Sequence, residues 1–123
     1  MIIYYDTKTG NVQRFVQKVQ EERPEWKFLS VTGCYVGPGH LITYTAGAGQ
    51  VPMPTLNFLA GYADQICSVS VSGNRNWGAS FAAAAYIINR EFRIPIAHLF
   101  ELSGLDDDVR DFITKISEFE VYP

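Results

Sequence analysis

Five short apolar runs, separated for the most part by stretches with helical spacing, constrain this chain more than any other feature. The runs are MIIYY (1–5), KFLSV (27–31), HLITYT (40–45), QICSVSVS (65–72) and IPIAHLFEL (94–102). Their β-branched and aromatic content and their lengths of five to nine residues favour strands. Several are apolar on successive residues rather than alternating, as in a sheet covered on both faces.

The intervening segments read as helices. In 11–22, Val12, Phe15, Val16 and Val19 recur on one face and polar residues fill the other. Segment 54–63 opens with Pro54, suited to a first helical turn, and carries Leu56, Phe58, Leu59 and Tyr62. Segment 79–92 is alanine-rich, with Tyr86, Ile87 and Ile88. Segment 105–119 begins with Asp106, Asp107 and Asp108, whose charge suits the positive end of a helix dipole, and continues with Val109, Phe112, Ile113 and Ile116. Only 32–39 is too short for a helix. Strands alternating with helices predict a three-layer α/β domain with a five-stranded parallel sheet and helices on both faces. With 123 residues, 47% of them hydrophobic and 19% charged, a single domain over 1–123 can bury one real core.

In such a sheet ligands bind beyond the carboxyl ends of the strands, where the strand order reverses. Three loops fall on that edge. After the first strand, DTKTGN is neither a P-loop nor a dinucleotide fingerprint. It nevertheless offers the Thr7 and Thr9 hydroxyls, Lys8, Asn11, the small Gly10 and the free N–H groups of a helix start running into Val12. That is an anion cradle sized for one phosphate, or else an ordinary helix cap. After the third strand, TYTAGAGQVP places Thr45 and the small residues Ala46, Gly47, Ala48 and Gly49 at the edge, where the backbone can approach a flat ligand or simply move. After the fourth, SGNRNWG supplies Ser72, Gly73, Asn74 and Gly78, with Trp77 as either a core lid or a flat plate for a ligand. Arg75 in that loop reads as a solvated charge. A single phosphate cradle, two thin loops and an aromatic plate together suit a phosphorylated planar ring, and flavin mononucleotide (FMN) better than a dinucleotide.

Other classes find little support. The net charge of −3 and the absence of a basic run argue against a nucleic-acid partner. Cys34 reads as exposed and Cys67 as a buried small hydrophobe; with no CxxC, neither a disulfide scaffold nor a zinc site is expected. His40 and His98 lack partners at metal spacing, and His98 reads as a satisfied structural histidine. The opening MIIYYD is too short for a signal-peptide core and no 18-residue apolar run follows, so a soluble cytoplasmic protein without a membrane partner is expected. A phospho-receiver would need an aspartate at the end of the third strand and a lysine after the fifth, where Tyr44-Thr45 and Glu101-Leu102 stand.

The segments DTKTGNVQRFV, ITYTAGAGQVPMPTLNFL, VSGNRNWGASFAAAAYII and IPIAHLFELSG followed by DDDV resemble, in order, the NrdI family, the flavodoxin-like activators of class Ib ribonucleotide reductase. The resemblance spans 2–113 and weakens between 23 and 39. It implies a flavodoxin-like sheet of order 2-1-3-4-5 and FMN bound without a covalent link. It also implies that the reduced flavin, fed by an electron donor, reacts with dioxygen. The superoxide or peroxide formed would pass to the dimanganese site of the small reductase subunit and drive tyrosyl-radical formation there. Carried over residue by residue, Thr7, Lys8, Thr9, Gly10 and Asn11 would bind phosphate, and Ala46 to Gly49 would form a loop that rearranges beside the ring. Ser72, Gly73, Asn74, Trp77 and Gly78 would line its other side. No residue would be catalytic in its own right, and a monomer that docks on a dimeric partner is implied. The alternative within the same fold is a general flavodoxin-type electron shuttle, which is usually ringed by acids; here the loops carry Lys8 and Arg75.

Overall fold

The computed structural model describes residues 1–119, so the last four residues of the expected 1–123 domain lie outside the described residues. The strands are β1 (Ile2–Tyr5), β2 (Lys27–Ser30), β3 (Gly39–Tyr44), β4 (Ile66–Gly73) and β5 (Ile96–Glu101). The helices are α1 (Asn11–Glu22), α2 (Met53–Tyr62), α3 (Ala83–Phe92) and α4 (Asp106–Ile116). All strand pairings are parallel, and the order is β2-β1-β3-β4-β5, as the family resemblance implies.

The sheet separates two apolar layers. On one face Tyr4, Leu41, Val69 and Val71 pack against Phe58 and Leu59 of α2 and Ala84, Ala85 and Ile88 of α3. On the other, Ile3, Ile42 and Phe100 meet Val12, Phe15, Val16 and Val19 of α1 and Val109, Phe112, Ile113 and Ile116 of α4. The stripes read from sequence on α1 and α4 are therefore the buried ones, whereas on α3 Ile88 is buried with Ala84 and Ala85 and Tyr86 points to solvent, 58% exposed. β3 is buried along nearly its whole length, which explains why it shows no alternation. Because β1 sends its chain outward to β2 and the chain then returns to β3 on β1's other side, the order reverses between β1 and β3. The β1 and β3 loops flank that reversal.

The largest differences from the sequence reading are at two helix boundaries. Segment 79–82 is not part of α3: residues Arg75–Ser80 form a 3-10 stretch, and Ala82 enters the helix in the left-handed region at φ 52°. Alanine favours helix but carries no side chain to mark where one starts, so the alanine run concealed the boundary. α4 likewise ends at Ile116, short of 119. No helix among the described residues is long and apolar enough to cross a membrane.

Candidate functional site

At the carboxyl edge, the β1, β3 and β4 loops enclose one open cavity of about 1060 Å³. From the β1 loop Thr7, Lys8, Thr9, Asn11 and Val12 line it; from the β3 loop Thr45, Ala46 and Gly47; from the β4 loop Ser72, Gly73, Asn74 and Trp77. Gly10, Ala48, Gly49 and Gly78, also expected there, shape the loops without lining the cavity.

The start of α1 decides how its loop is read. Gly10 takes the cap position at φ 93°, and no side chain of the cap residue closes the helix. The nearest substitute is Thr7 Oγ1, which accepts a long 3.4 Å hydrogen bond from the Gln13 N–H. Among the described residues, the N–H groups of residues 8–12 have no protein acceptor. An ordinary capped helix would have used the Thr or Asn side chains here; this one leaves its donors and its positive dipole end open toward the cavity. Glycine suits position 10 because the backbone there is left-handed; the nearest atom to an added Cβ, 2.9 Å away, is the movable end of Arg14. Asn11 is partly committed: its Oδ1 accepts from Arg14 Nη2 at 2.6 Å and from Ser103 Oγ at 2.8 Å, tying the loop to the segment after β5.

The β3 loop is closed rather than slack. Ala46 and Gln50 exchange two backbone hydrogen bonds of 2.7 Å, leaving the small residues between them as a narrow tip. At the β4 end, Ser72 donates its hydroxyl to Leu102 O at 2.6 Å, so its contribution to the cavity wall is not a free hydroxyl. Gly73 permits a close approach, since a Cβ there would sit 2.5 Å from the Ala82 nitrogen. Trp77 is 56% exposed on the cavity rim, which excludes the core-lid reading.

Asp6 lines the cavity and was missed as a site residue. It is buried, and its Oδ2 accepts from Thr55 Oγ1 at 2.7 Å, while Thr43 Oγ1 lies 2.7 Å from the same Thr55 hydroxyl. Since Thr55 gives its one proton to the carboxylate, Thr43 donates to Thr55. Burial pushes the Asp6 carboxyl above its usual value, against the Thr55 hydrogen bond that favours the anion. Burial, and then the Asp6 charge, push the Tyr44 hydroxyl up as well. An acid closing an apolar strand run was the available signal for Asp6. Gln50, Pro52, Met53, Leu56, Ser80, Ile87, Glu91 and Leu102 also reach the cavity, from positions no local motif distinguishes.

The residues set aside from sequence behave mostly as expected. His98 lies 2.9 Å from Asp108 Oδ1 through Nε2 and 3.0 Å from Lys115 Nζ through Nδ1, a fully partnered buried ring. Cys34 is exposed, whereas Cys67 is half-buried rather than buried; what burial it has raises its thiol pKa. Arg75 is not a merely solvated charge: its guanidinium lies 4.3 Å from the Phe81 ring centroid.

The donor set suits a single phosphate bearing a flat ring. Open N–H groups and two threonine hydroxyls from the β1 loop line the cavity together with the small β3 loop and an exposed tryptophan. Solved structures with this fold include a short-chain flavodoxin associated with a bacterial microcompartment, at 14% identity, TM-score 0.73 and 97% coverage of both chains. Flavodoxin 2 from Bacillus cereus aligns at 19% identity and TM-score 0.69 over 96% of this chain and 95% of its own. Protein NrdI of Macrococcus caseolyticus is 36% identical over 99% of this chain and 93% of its own length. Protein NrdI of Bacillus licheniformis is 42% identical over 93% and 86% respectively. The family model described as NrdI Flavodoxin like matches residues 3–114, and the chain belongs to that family.

Proposed function

We propose that the chain binds FMN in the carboxyl-edge cavity and serves as the activator of a class Ib ribonucleotide reductase. The observation that carries this reading is the open start of α1, whose unpartnered N–H groups face the cavity beside Thr7 and Thr9. Membership of the NrdI family supports the reductase partner, and the flavodoxin-like fold supports a flavin. Residues 7–12 would hold the phosphate through N–H groups and hydroxyls, with Lys8 adding a mobile positive charge. Ala46 and Gly47 would lie along the ring with little bulk between it and the main chain. Trp77 would cover part of the ring and keep bulk water from it.

When bound and reduced, the flavin would supply the electrons that turn dioxygen into superoxide or peroxide for the dimanganese site of the small reductase subunit. The chain itself holds and orients the group, excludes water from it and leaves an opening through which a small oxidant can pass. The cavity wall carries two carboxylates, Asp6, hydrogen-bonded to Thr55, and Glu91, and this reading assigns the redox chemistry to the cofactor.

The test is a visible absorption spectrum of the protein incubated with FMN and desalted. Retained flavin near one equivalent is expected. Anaerobic reduction, followed by air in the presence of manganese-loaded small subunit, should then give a tyrosyl-radical signal by electron paramagnetic resonance. A colourless protein overturns the flavin reading, and retained flavin without radical overturns the activator role in favour of an electron shuttle.

A further inference from the structure

Segment 74–81 presents Trp77 to the rim of the cavity with little regular structure of its own. Asn74 Oδ1 accepts from the Asn76 N–H at 2.9 Å, and the Trp77 N–H donates to Asn74 O at 3.0 Å. Gly78 breaks the 3-10 stretch at φ 55°, ψ −119°, and the non-glycine Ala82 follows at φ 52°. Backbone in such regions persists only where its surroundings impose it. Among the described residues, the hydrogen bonds of 75–80 stay within the segment with one exception: the Arg75 N–H donates to Glu101 Oε2 at 3.0 Å. The other Glu101 oxygen lies 3.9 Å from Arg75 Nε, and the guanidinium rests on Phe81 at the far end of the same segment. Arg75 therefore joins three points: the end of β5 through Glu101, the start of the segment through its own backbone, and the end of the segment through Phe81.

We propose that Glu101 and Arg75 are positioning residues that fix the Trp77 plate against the end of β5. This rests on the flavin reading of the cavity. Neither side chain lines the main cavity; each acts through Trp77. The two side chains are 41% and 67% exposed, so their charge attraction contributes little in water, and the backbone hydrogen bond and the stacked guanidinium carry the effect. The same exposure makes substitutions safe for folding. A glutamine at 101 still accepts the Arg75 N–H, whereas an alanine cannot.

The experiment compares wild type, Glu101→Gln and Glu101→Ala by FMN titration and by visible circular dichroism of the bound flavin. Glu101→Ala is expected to weaken FMN about five-fold, the loss of one good hydrogen bond, and to change the flavin dichroism. Glu101→Gln is expected to stay within about two-fold of wild type, and all three should give the same far-ultraviolet circular dichroism without flavin. A parallel set carrying Trp26→Phe reports on Trp77 alone; its fluorescence anisotropy without flavin should fall in Glu101→Ala and not in Glu101→Gln. Unchanged affinity, dichroism and anisotropy in Glu101→Ala, with a wild type that binds FMN, overturn the positioning role alone. Equal losses in the Gln and Ala variants overturn it too, because they assign the effect to charge. A wild type that binds no FMN overturns the functional reading and this role with it.

Discussion

His40 lies in β3 with its ring wholly buried, Nδ1 within 2.7 Å of Ser68 Oγ and Nε2 without a hydrogen-bond partner among the described residues. Burial drives its imidazole down from 6.5 to about 4, since nothing in the core compensates a positive charge. The folded pKa is lower than the unfolded one, so on acidification the unfolded chain takes up the proton first. Stability from this group is complete above the unfolded value and drains away as pH falls from 6.5 toward about 4. Between pH 7 and pH 5 the loss amounts to about 2 kcal/mol. Urea midpoints measured at both pH values should show it, and His40→Asn, which keeps a polar group beside Ser68, should show a smaller drop. Asp6 is the acidic counterpart, a carboxyl that burial pushes upward against the hydrogen bond from Thr55. Thr55→Val keeps shape and removes that donor, with an expected cost of about 1.5–3 kcal/mol in urea unfolding. A loss under half a kilocalorie per mole would mean that water in the cavity serves the carboxylate equally well.

At the scale of elements, the open α1 terminus makes a sharp demand. Gly10→Asp puts a side chain on a left-handed backbone, and places a negative charge beside the donors proposed to hold phosphate. FMN retention on desalting should be lost while the far-ultraviolet spectrum stays native; retained stoichiometric flavin would refute the cradle. Trp77→Ala should weaken FMN by roughly 1–2 kcal/mol through lost stacking and cover. The helices and strands were legible because their apolar stripes are the ones that pack, as Val12, Phe15 and Val16 on α1 and Phe112 and Ile116 on α4 show. The loops were legible only as a choice. DTKTGN could cap or cradle, and the structure supports the cradle by putting Gly10, not a threonine or Asn11, at the cap position. Trp77 could be lid or plate, and its exposure rules out the core lid. The rest depends on contacts distant in sequence. Asp6 acquires its partner 49 residues away, and Arg75 its acceptor 26 residues away, through a strand order that periodicity alone does not reveal.

For the whole molecule, the cavity draws its walls from the ends of β1, β3 and β4, from the starts of α1 and α2, and from the flank of α3. A ligand filling it therefore ties together elements from both layers of the sandwich, and binding should register as stability of the entire fold. At a free concentration a hundred times the dissociation constant, a ligand specific for the folded state adds about 2.7 kcal/mol. For a domain of this size that corresponds to a rise of roughly 10 °C in the melting midpoint. The proposed division of the site into a phosphate end and a ring end makes the prediction more specific. Riboflavin carries the ring without the phosphate, so it should engage Trp77 and the β3 loop but leave the α1 donors unused. Its shift at equal concentration should be a few degrees at most, and inorganic phosphate alone should give less again. Melting curves of wild type and Gly10→Asp with FMN, riboflavin and phosphate separate the contributions. In Gly10→Asp the FMN shift should shrink to the riboflavin level, since only the ring end remains. Equal shifts for FMN and riboflavin in wild type would mean that the ring end alone holds the ligand and that the open start of α1 faces water.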